Sequence, residues 1–367
     1  MSTVASLGWG ISPGEFLASW WNVLNGRAPL LSIEITRECP LKCPGCYAYG
    51  DDHLGAGGPT LRELSDFQGE ALINGVLDLV RKHRPLHVSL VGGEPMVRHK
   101  ELGRILPVLG QMGVHTLLVT SAVIPIPKDW MTIPRLRVAV SVDGLPEHHD
   151  VRRKPATYER ILRNIQGSTV NVHWTITRAM LCRSGYLEEY LHFWSSRDEV
   201  HRIWASIYSP QIGEQSEEML GAGERRALAA ELPRLKQRYP KFLMNEGIVR
   251  AFLEPPRTPN QCLFSKMSTN YTADLKTGVE PCVLGGKPDC AQCGCAASMG
   301  LHWVRSVRLA GPLKIEHVIR ASMAIGRAAV RLRRKAMAPS RWQPRSKGPG
   351  PDSKLVQITD LTDGRPI

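Results

Sequence analysis

Short β-branched runs alternate with longer stretches of helical periodicity along the first two thirds of the chain. Residues 12–26 and 60–84 carry apolar side chains at helical spacing and predict helices. Strands that alternate with helices are typical of a parallel sheet built from βα units, so the pattern predicts an α/β fold. The predicted strands are LLSIEIT (30–36), LHVSLVG (86–92), HTLLVT (115–120), LRVAVSVDG (136–144), VNVHWTIT (170–177) and HRIWASIY (201–208).

Three cysteines follow the first predicted strand: Cys39, Cys43 and Cys46, in the spacing C-x3-C-x2-C. Ligands of parallel α/β sheets collect at the carboxyl ends of the strands, where this loop is expected to lie. Three thiolates in one short loop can hold three irons of a [4Fe–4S] cube and leave the fourth iron open. An open iron can bind and reduce a small molecule.

Other interpretations of this cysteine loop are weaker. A structural zinc site needs a fourth Cys or His, and His53 is within reach but lies in a Gly-rich loop. Disulfides are disfavoured because the thiols are so closely spaced and no signal peptide precedes them. Three unrelated core cysteines are disfavoured because Pro40, Pro44 and Gly45 keep the backbone irregular.

Length and composition narrow the class of protein. A chain of 367 residues can hold one large α/β domain and a smaller appended unit. The sequence contains no run of 18 apolar residues, so no membrane span is predicted. Its N-terminus has no basic region followed by an apolar stretch, so export is not expected. Nine cysteines in a chain without an export signal indicate metal ligation rather than a disulfide framework. A cytoplasmic location is therefore expected.

The cysteine loop, in which Tyr47 follows the last cysteine, resembles the signature of the radical S-adenosylmethionine (radical SAM) enzymes. The resemblance implies a partial (β/α)6 TIM-like barrel, a [4Fe–4S] cluster on the three cysteines, and SAM on the open iron. It also implies a reductant such as flavodoxin or ferredoxin. In this family a GGEP run, here residues 92–95, binds the methionyl amino group of SAM. Its two glycines let the backbone approach a ligand closely. The residues of this run are Gly92, Gly93, Glu94 and Pro95.

Further strand ends fit the same ligand by resemblance. Thr120 and Ser121 close the third strand, and Ser141 and Asp143 close the fourth, where the family places polar groups on the ribose. The segment 148–165 resembles the HD-x-x-R segment of radical SAM enzymes with C-terminal clusters. Its arginines could pair with the SAM carboxylate, since a guanidinium matches a carboxylate bidentately. These are Arg152 and Arg153; the alternative is a helix-capping turn with solvated arginines. Thr175, Thr177 and Arg178 are secondary candidates.

A second group of five cysteines lies near the C-terminal end, with a predicted hairpin between its first two members. The arrangement resembles the shortened auxiliary-cluster domain called twitch, a reduced form of the SPASM domain. Four of the five thiols would ligate a second [4Fe–4S] cluster, and Cys295 is the expected spare; a four-thiolate zinc site is the alternative. The remaining cysteine, Cys182, is expected to be a small buried apolar residue. The group comprises Cys262, Cys282, Cys290, Cys293 and Cys295.

The chain is basic, with a formal net charge of +13. Residues 313–337 form a predicted basic amphipathic helix, and each Lys or Arg near an anionic bilayer contributes about 1 kcal/mol. The predicted units are an N-terminal amphipathic helix (1–29), the barrel (30–240), the auxiliary-cluster domain (241–300), the basic helix (301–338) and a disordered tail (339–367).

The substrate is predicted from these outer segments. The basic helix, together with Trp20 and Trp21, favours an enzyme acting on a membrane lipid or polyprenoid at the inner membrane face. A peptide maturase is the second hypothesis, although the short segment before residue 30 cannot supply a winged-helix extension. A nucleic-acid-binding iron–sulfur protein ranks last, because Trp342 alone accompanies the basic residues, and no specific nucleic acid is expected. A basic helix packed on the barrel with a solvated outer face is equally compatible with the sequence.

Overall fold

Seven parallel strands form the central sheet of the protein. The structure is a computed structural model that describes residues 11–50, 53–55, 58–155 and 157–337, with side chains to residue 333. The strands are Leu30–Glu34 (β1), His87–Val91 (β2), His115–Thr120 (β3), Leu136–Ser141 (β4), Val170–Ile176 (β5), Val200–Ile207 (β6) and Ser268–Tyr271 (β7). Their order is β6-β5-β4-β3-β2-β1-β7, and every neighbouring pair is parallel. The predicted α/β fold is confirmed, with one more strand than the sequence pattern indicated.

Helices connect the strands and cover the sheet. They bury an apolar face against it, as in α2, whose Leu72, Val76 and Val80 are fully buried. The helices are Pro13–Leu24 (α1), Gly69–His83 (α2), His99–Gln111 (α3), Pro146–Arg152 (α4), Tyr158–Asn164 (α5), Arg178–Leu181 (α6), Tyr186–Ser195 (α7), Ala222–Arg238 (α8), Glu246–Leu253 (α9), Leu263–Met267 (α10) and Ala296–Ser306 (α11). The hairpin strands Arg308–Ala310 (β8) and Leu313–Lys314 (β9) and the helix Ile315–Met337 (α12) complete the described chain.

The helix predicted over residues 60–84 begins later than expected, at Gly69. Thr60 and Glu63 close a single 3-10 turn over Leu61–Glu63, and Leu64 leaves it in an extended conformation. Asp66 then accepts hydrogen bonds from Arg98 and Thr36, which ties this segment to the sheet. Apolar residues recur at helical spacing through this segment, but the Asp66–Arg98 ion pair and the 3-10 turn prevent the segment from joining the helix.

The seventh strand comes from the cysteine-rich segment. β7 pairs with β1 in parallel register from Leu30 opposite Ser268 to Ile33 opposite Tyr271. The chain then turns around Asp274, whose carboxylate accepts hydrogen bonds from the amides of Lys276 and Thr277. It returns along β7 with a bridge between Tyr271 and Gly278. The hairpin predicted between Cys262 and Cys282 is present, and its first arm extends the main sheet.

The two outer helices, α1 and α12, pack on each other. A Cβ on Gly26 would lie 2.9 Å from the Gly326 carbonyl oxygen, and one on Gly326 would lie 2.3 Å from the Val23 carbonyl oxygen. Ile319 and Ser322 of α12 are buried. Of the other apolar residues on its predicted face, Val318, Met323 and Val330 are half-buried and Ile325 is exposed. The helix therefore packs on α1 through part of its apolar face.

Residues 1–10 of the predicted N-terminal segment and the tail predicted to be disordered (339–367) lie outside the described residues. None of the helices described in the structure has the length and apolarity required to cross a lipid bilayer.

Candidate active site

The first cysteine group lies in the loop that leaves the carboxyl end of β1. Cys46 precedes a 3-10 turn over Tyr47–Tyr49, and the hydroxyl of Tyr49 donates a hydrogen bond to the Arg37 carbonyl oxygen at 2.7 Å. The amide of Lys42 donates to the Lys154 carbonyl oxygen at 2.6 Å. These bonds hold the cysteine loop between β1 and the segment that follows α4.

The environment of these thiols fits a cationic iron cluster better than free thiols. Burial raises the pKa of the Cys39 thiol to about 11 and also raises the pKa of Cys46. Arg153 opposes the shift at Cys46, and Cys43 adds to it because a second thiolate lies close by. Three such thiols at one strand end are suited to bind iron. Burial disfavours the thiolate form, and the positive charge of iron would favour it.

The Gly-Gly-Glu-Pro turn packs directly on this loop. Gly92 and Gly93 have positive φ angles of 88° and 41°. A Cβ on Gly92 would lie 2.3 Å from the Glu34 Cβ, and one on Gly93 would lie 2.3 Å from the Glu38 carbonyl oxygen. Only glycine allows both this conformation and this approach, so the turn and the start of the cysteine loop form one rigid corner.

The Glu94 carboxylate, predicted to bind the SAM ammonium group, is fully buried. It accepts hydrogen bonds from the Thr120 hydroxyl at 2.5 Å and from the Ser121 amide at 2.7 Å. The amide of Met96 donates to it at 3.0 Å. Glu94 therefore joins the end of β2 to the end of β3, and Thr120 and Ser121 lie beside it. Pro95 is buried in the 3-10 turn that follows.

Asp143, beyond the end of β4, is the centre of a buried charged network. Its carboxylate accepts hydrogen bonds from Arg153 Nε at 2.9 Å, Arg152 Nε at 3.4 Å and the Thr175 amide at 3.2 Å. The two guanidinium groups hold its pKa below the ordinary value despite burial. Both predicted carboxylate-binding arginines are thus paired with the predicted ribose-binding Asp143. Ser141, at the end of β4, is buried beside them.

The second cysteine group lines one cavity. All five thiols, Cys262, Cys282, Cys290, Cys293 and Cys295, border it together with Ser298 and Ser209. Cys262 Sγ lies 3.1 Å from Ser298 Oγ. Burial is the main cause that raises the pKa values of Cys282 and Cys290, and charge on Cys293 and Cys262 adds to it. No group of three or more His, Cys, Asp or Glu in the described part of the chain could hold a single metal ion.

The segment that carries these cysteines lies at the carboxyl ends of the sheet strands. The amide of Ile207, the last residue of β6, donates to the Gly294 carbonyl oxygen at 2.9 Å, and Ser206 accepts from the Ala296 amide at 3.1 Å. At the other side, the His53 imidazole lies between Glu34 Oε1 (2.9 Å) and the Leu284 carbonyl oxygen (3.2 Å). The segment therefore reaches from the end of β6 to the end of β1.

Glu34 and His53 were not predicted as a pair. Both are buried, and the second oxygen of Glu34, Oε2, has no hydrogen-bond partner among the described residues. The signal was present in the sequence: Glu34 is a charged residue within the apolar run LLSIEIT. His53, considered as a zinc ligand, instead has both ring nitrogens engaged by Glu34 and Leu284.

The other residues singled out in the sequence differ in burial and in their distance from the charged network around Asp143. Tyr47 is exposed, and its ring lies 5.7 Å from that of His53. Thr177 is buried, whereas Arg178 pairs with Glu224 away from Asp143. The prediction that Cys182 is buried is wrong, because it is exposed after the end of α6 and its thiol faces only the Arg178 carbonyl oxygen.

Comparison with known proteins supports the interpretation of the first cysteine group. A family model described as the radical SAM superfamily matches residues 33–171. An Fe-coproporphyrin III synthase from Methanosarcina barkeri is 28% identical over 161 residues, which cover 41% of this chain and 38% of that protein. The matched region thus spans about two fifths of the length of this curated relative.

Two solved structures share the fold. SuiB from Streptococcus suis bound to S-adenosylmethionine is 14% identical, with a TM-score of 0.51, over 68% of this chain and 59% of that one. SuiB bound to the precursor peptide SuiA is 12% identical, with a TM-score of 0.51, over 82% and 71%. At these identities the likeness establishes the fold and no more.

Proposed function

We propose that this radical SAM enzyme works with two [4Fe–4S] clusters, the second held by Cys262, Cys282, Cys290 and Cys293, and that its substrate binds between them. The observation that carries the proposal is the placement of the second cysteine segment. Through Gly294 it adjoins the end of β6, and through His53 it adjoins the end of β1. Both cysteine groups then lie at the carboxyl edge of one sheet.

The residues present are suited to this chemistry. When bound, the cluster on Cys39, Cys43 and Cys46 would supply the electron that cleaves SAM into methionine and a 5′-deoxyadenosyl radical, which abstracts hydrogen from the substrate. The protein holds the reacting groups in place and limits access of water. The rigid corner at Gly92 and Gly93 and the network around Asp143 are the elements that position SAM.

The test of the two-cluster proposal is iron counting after anaerobic reconstitution, combined with an assay for 5′-deoxyadenosine. We expect about eight irons per chain in the wild type, four when Cys39, Cys43 and Cys46 are all replaced by Ala, and four when Cys262, Cys282, Cys290 and Cys293 are all replaced. Only the first variant should lose SAM cleavage entirely. Zinc bound in place of iron in the C-terminal group would contradict the two-cluster proposal while leaving the radical SAM assignment intact.

For the substrate class we propose a membrane lipid or polyprenoid, reached from an anionic membrane surface. The support is a surface on the α1–α12 pair, which we call the outer helix surface. Its exposed apolar side chains include Leu17 and Trp21 of α1 and Leu332 of α12, each about two thirds exposed. These residues lie on two helices that pack on each other, and a contiguous exposed apolar patch is typical of an interaction site. The members are Phe16, Leu17, Trp21, Ile325 and Leu332, with the exposed Arg327, Arg331 and Arg333.

The charge of this surface favours an anionic bilayer. Arg333 donates a hydrogen bond to Asn25, at the end of α1, so a guanidinium lies where the two helices meet. A tryptophan such as Trp21 is at home in the interfacial region of a membrane, and arginines beside it attract anionic headgroups. On α12 this mode uses the exposed Ile325 and Leu332, whereas Ile319 is buried.

Sedimentation with liposomes tests the membrane surface. We expect binding to vesicles containing phosphatidylserine at low salt, little binding to neutral vesicles, and a large loss of binding in a Leu17→Ser/Trp21→Ser variant. The control is Ile212→Ser, which removes an equally exposed apolar side chain remote in sequence from both helices. Wild-type protein that stays in the supernatant with anionic vesicles would contradict the proposal.

A peptide substrate is the second candidate, as in the maturases that carry SPASM or twitch domains. It would be favoured if 5′-deoxyadenosine formation were stimulated by a peptide and not by lipid extracts. Flavodoxin or ferredoxin is the proposed reductant, and reduction of the protein by either one is measurable by the loss of cluster absorbance. Binding to nucleic acid with a steep salt dependence would instead favour the third hypothesis.

A further inference from the structure

Arg225 of α8 is a buried cation without a carboxylate partner. It is 7% exposed, and no carboxylate in the described ranges forms an ion pair with it. Its guanidinium donates instead to three backbone carbonyl oxygens, those of Phe252, Gln292 and Cys293. The third nitrogen, Nε, is buried and has no partner among the described residues.

A buried charge satisfied only by neutral carbonyls is costly to fold around. Removing an ion from water carries a large penalty, which an opposite charge at close range offsets in part. Burial accordingly lowers the pKa of Arg225, whereas Cys293 and Asp289 act in the opposite direction. Asp289 accepts a hydrogen bond from the Ala291 amide and forms no ion pair with Arg225 among the described residues, so it does not neutralise the guanidinium directly.

The position of Arg225 is specific to that group. Gln292 and Cys293, whose carbonyl groups it holds, belong to the Cys290-x2-Cys293 segment that lines the cavity. Phe252, its third acceptor, is near the end of α9. The guanidinium therefore holds the backbone of this segment and places a positive charge next to Cys293 in the cysteine group. A cluster with four thiolate ligands carries net negative charge, which this cation would compensate.

We propose that Arg225 is the built-in counter-cation of the auxiliary iron–sulfur cluster, and that it sets the potential of that cluster. The inference rests on the two-cluster proposal made above. A nearby positive charge stabilises the reduced cluster, so loss of the charge moves the midpoint potential to more negative values. The alternative role is a purely structural brace, in which the hydrogen bonds matter and the charge does not.

The experiment measures the potential of the auxiliary cluster alone. The Cys39→Ala/Cys43→Ala/Cys46→Ala chain is reconstituted anaerobically, and the remaining cluster is titrated with EPR detection. In this background Arg225→Met should lower the potential by about 59 mV, which is tenfold in the equilibrium constant of a one-electron reduction. Arg225→Lys keeps the charge and should stay near the parent value. The matched control is Arg226→Met, which removes the exposed neighbouring arginine of the same helix.

Each result decides between the two roles. An unchanged potential in Arg225→Met, or an equal shift in Arg225→Lys, overturns the counter-cation role. If Arg225→Met loses its iron, Arg225→Gln, which keeps hydrogen-bond donors without the charge, takes its place: a lowered potential supports the counter-cation role and an unchanged one overturns it. Loss of iron in both Arg225→Met and Arg225→Lys assigns Arg225 to bracing and overturns the inference. Absence of iron from the parent chain contradicts the two-cluster proposal itself, a failure that iron analysis separates from the others.

Discussion

Gly294 lies against Ile207 so closely that a Cβ on Gly294 would come within 2.2 Å of the Ile207 carbonyl oxygen. The amide of Ile207 also donates to the Gly294 carbonyl oxygen, so the two backbones are in direct contact. Gly294 separates Cys293 from Cys295. This contact is one of those that fix where the second cysteine group lies relative to the sheet, with the Ala296–Ser206 hydrogen bond beside it.

We therefore expect Gly294→Ala to displace the cysteine segment from β6. The added methyl group meets backbone, which cannot move aside as a side chain could, and overpacking of this kind costs about 1–3 kcal/mol. Iron content of the C-terminal site and the thermal unfolding midpoint should both fall. Gly278→Ala is the control, because a Cβ there would lie 3.8 Å from its nearest neighbour, the Asn270 carbonyl oxygen. Equal behaviour of the two variants would argue against the contact.

Replacement of single cysteines should identify the spare thiol. Cys295→Ala is expected to retain the auxiliary cluster, because Cys290 and Cys293 form the usual C-x2-C clamp and Cys262 and Cys282 supply the other two thiolates. Cys290→Ala should lose the cluster. The measurement is iron and sulfide per chain. Loss of iron in Cys295→Ala with retention in Cys290→Ala would reverse the assignment.

The buried pair of Glu34 and His53 should contribute to stability as a unit. His53→Leu leaves the Glu34 carboxylate buried without its hydrogen-bond donor, which is expected to cost about 2–3 kcal/mol of unfolding free energy. The double variant Glu34→Leu/His53→Leu should cost less than the sum of the two single changes. Urea unfolding of all four proteins measures the coupling. Additive single effects would show that the pair is not energetically linked.

Stability should fall in mild acid because of His149. Its Nδ1 accepts a hydrogen bond from the Asp143 amide, and its other nitrogen, Nε2, lies 2.9 Å from the Thr157 hydroxyl. Burial lowers its pKa from the ordinary 6.5 to about 4, with Arg153 and Arg152 acting in the same direction and Asp143 and Asp150 opposing them. Between pH 6.5 and about 4, His149 therefore binds a proton in the unfolded chain but not in the folded chain.

The stabilising contribution of neutral His149 is complete above pH 6.5 and is lost as the pH falls towards 4. The loss is at most about 1.4 kcal/mol per pH unit for this one group. His149→Asn keeps the acceptor and removes the titration, so its stability should change less between pH 7.5 and 5.5 than that of the wild type. His192→Asn, at an exposed position of α7, is the control. A pH dependence equal to the wild type would exclude this role.

The sequence determined the α/β class, six of the seven sheet strands and the loop that holds Cys39, Cys43 and Cys46. These features are local: strand periodicity and ligand spacing are properties of neighbouring residues, and they need no knowledge of what packs against them. The glycines of the Gly-Gly-Glu-Pro turn were likewise readable, because their conformational freedom is intrinsic.

Tertiary structure decided how the parts meet. The pairing of β7 with β1, the contact of Gly294 with Ile207, the burial of Arg225 and the close approach of Gly26 to Gly326 all join residues that are distant in the chain. The apolar stripe on α12 is visible in the sequence, but only the structure shows that Ile319 is buried while Ile325 is exposed. Sequence periodicity specifies which face of an element is apolar, whereas only packing specifies what covers it.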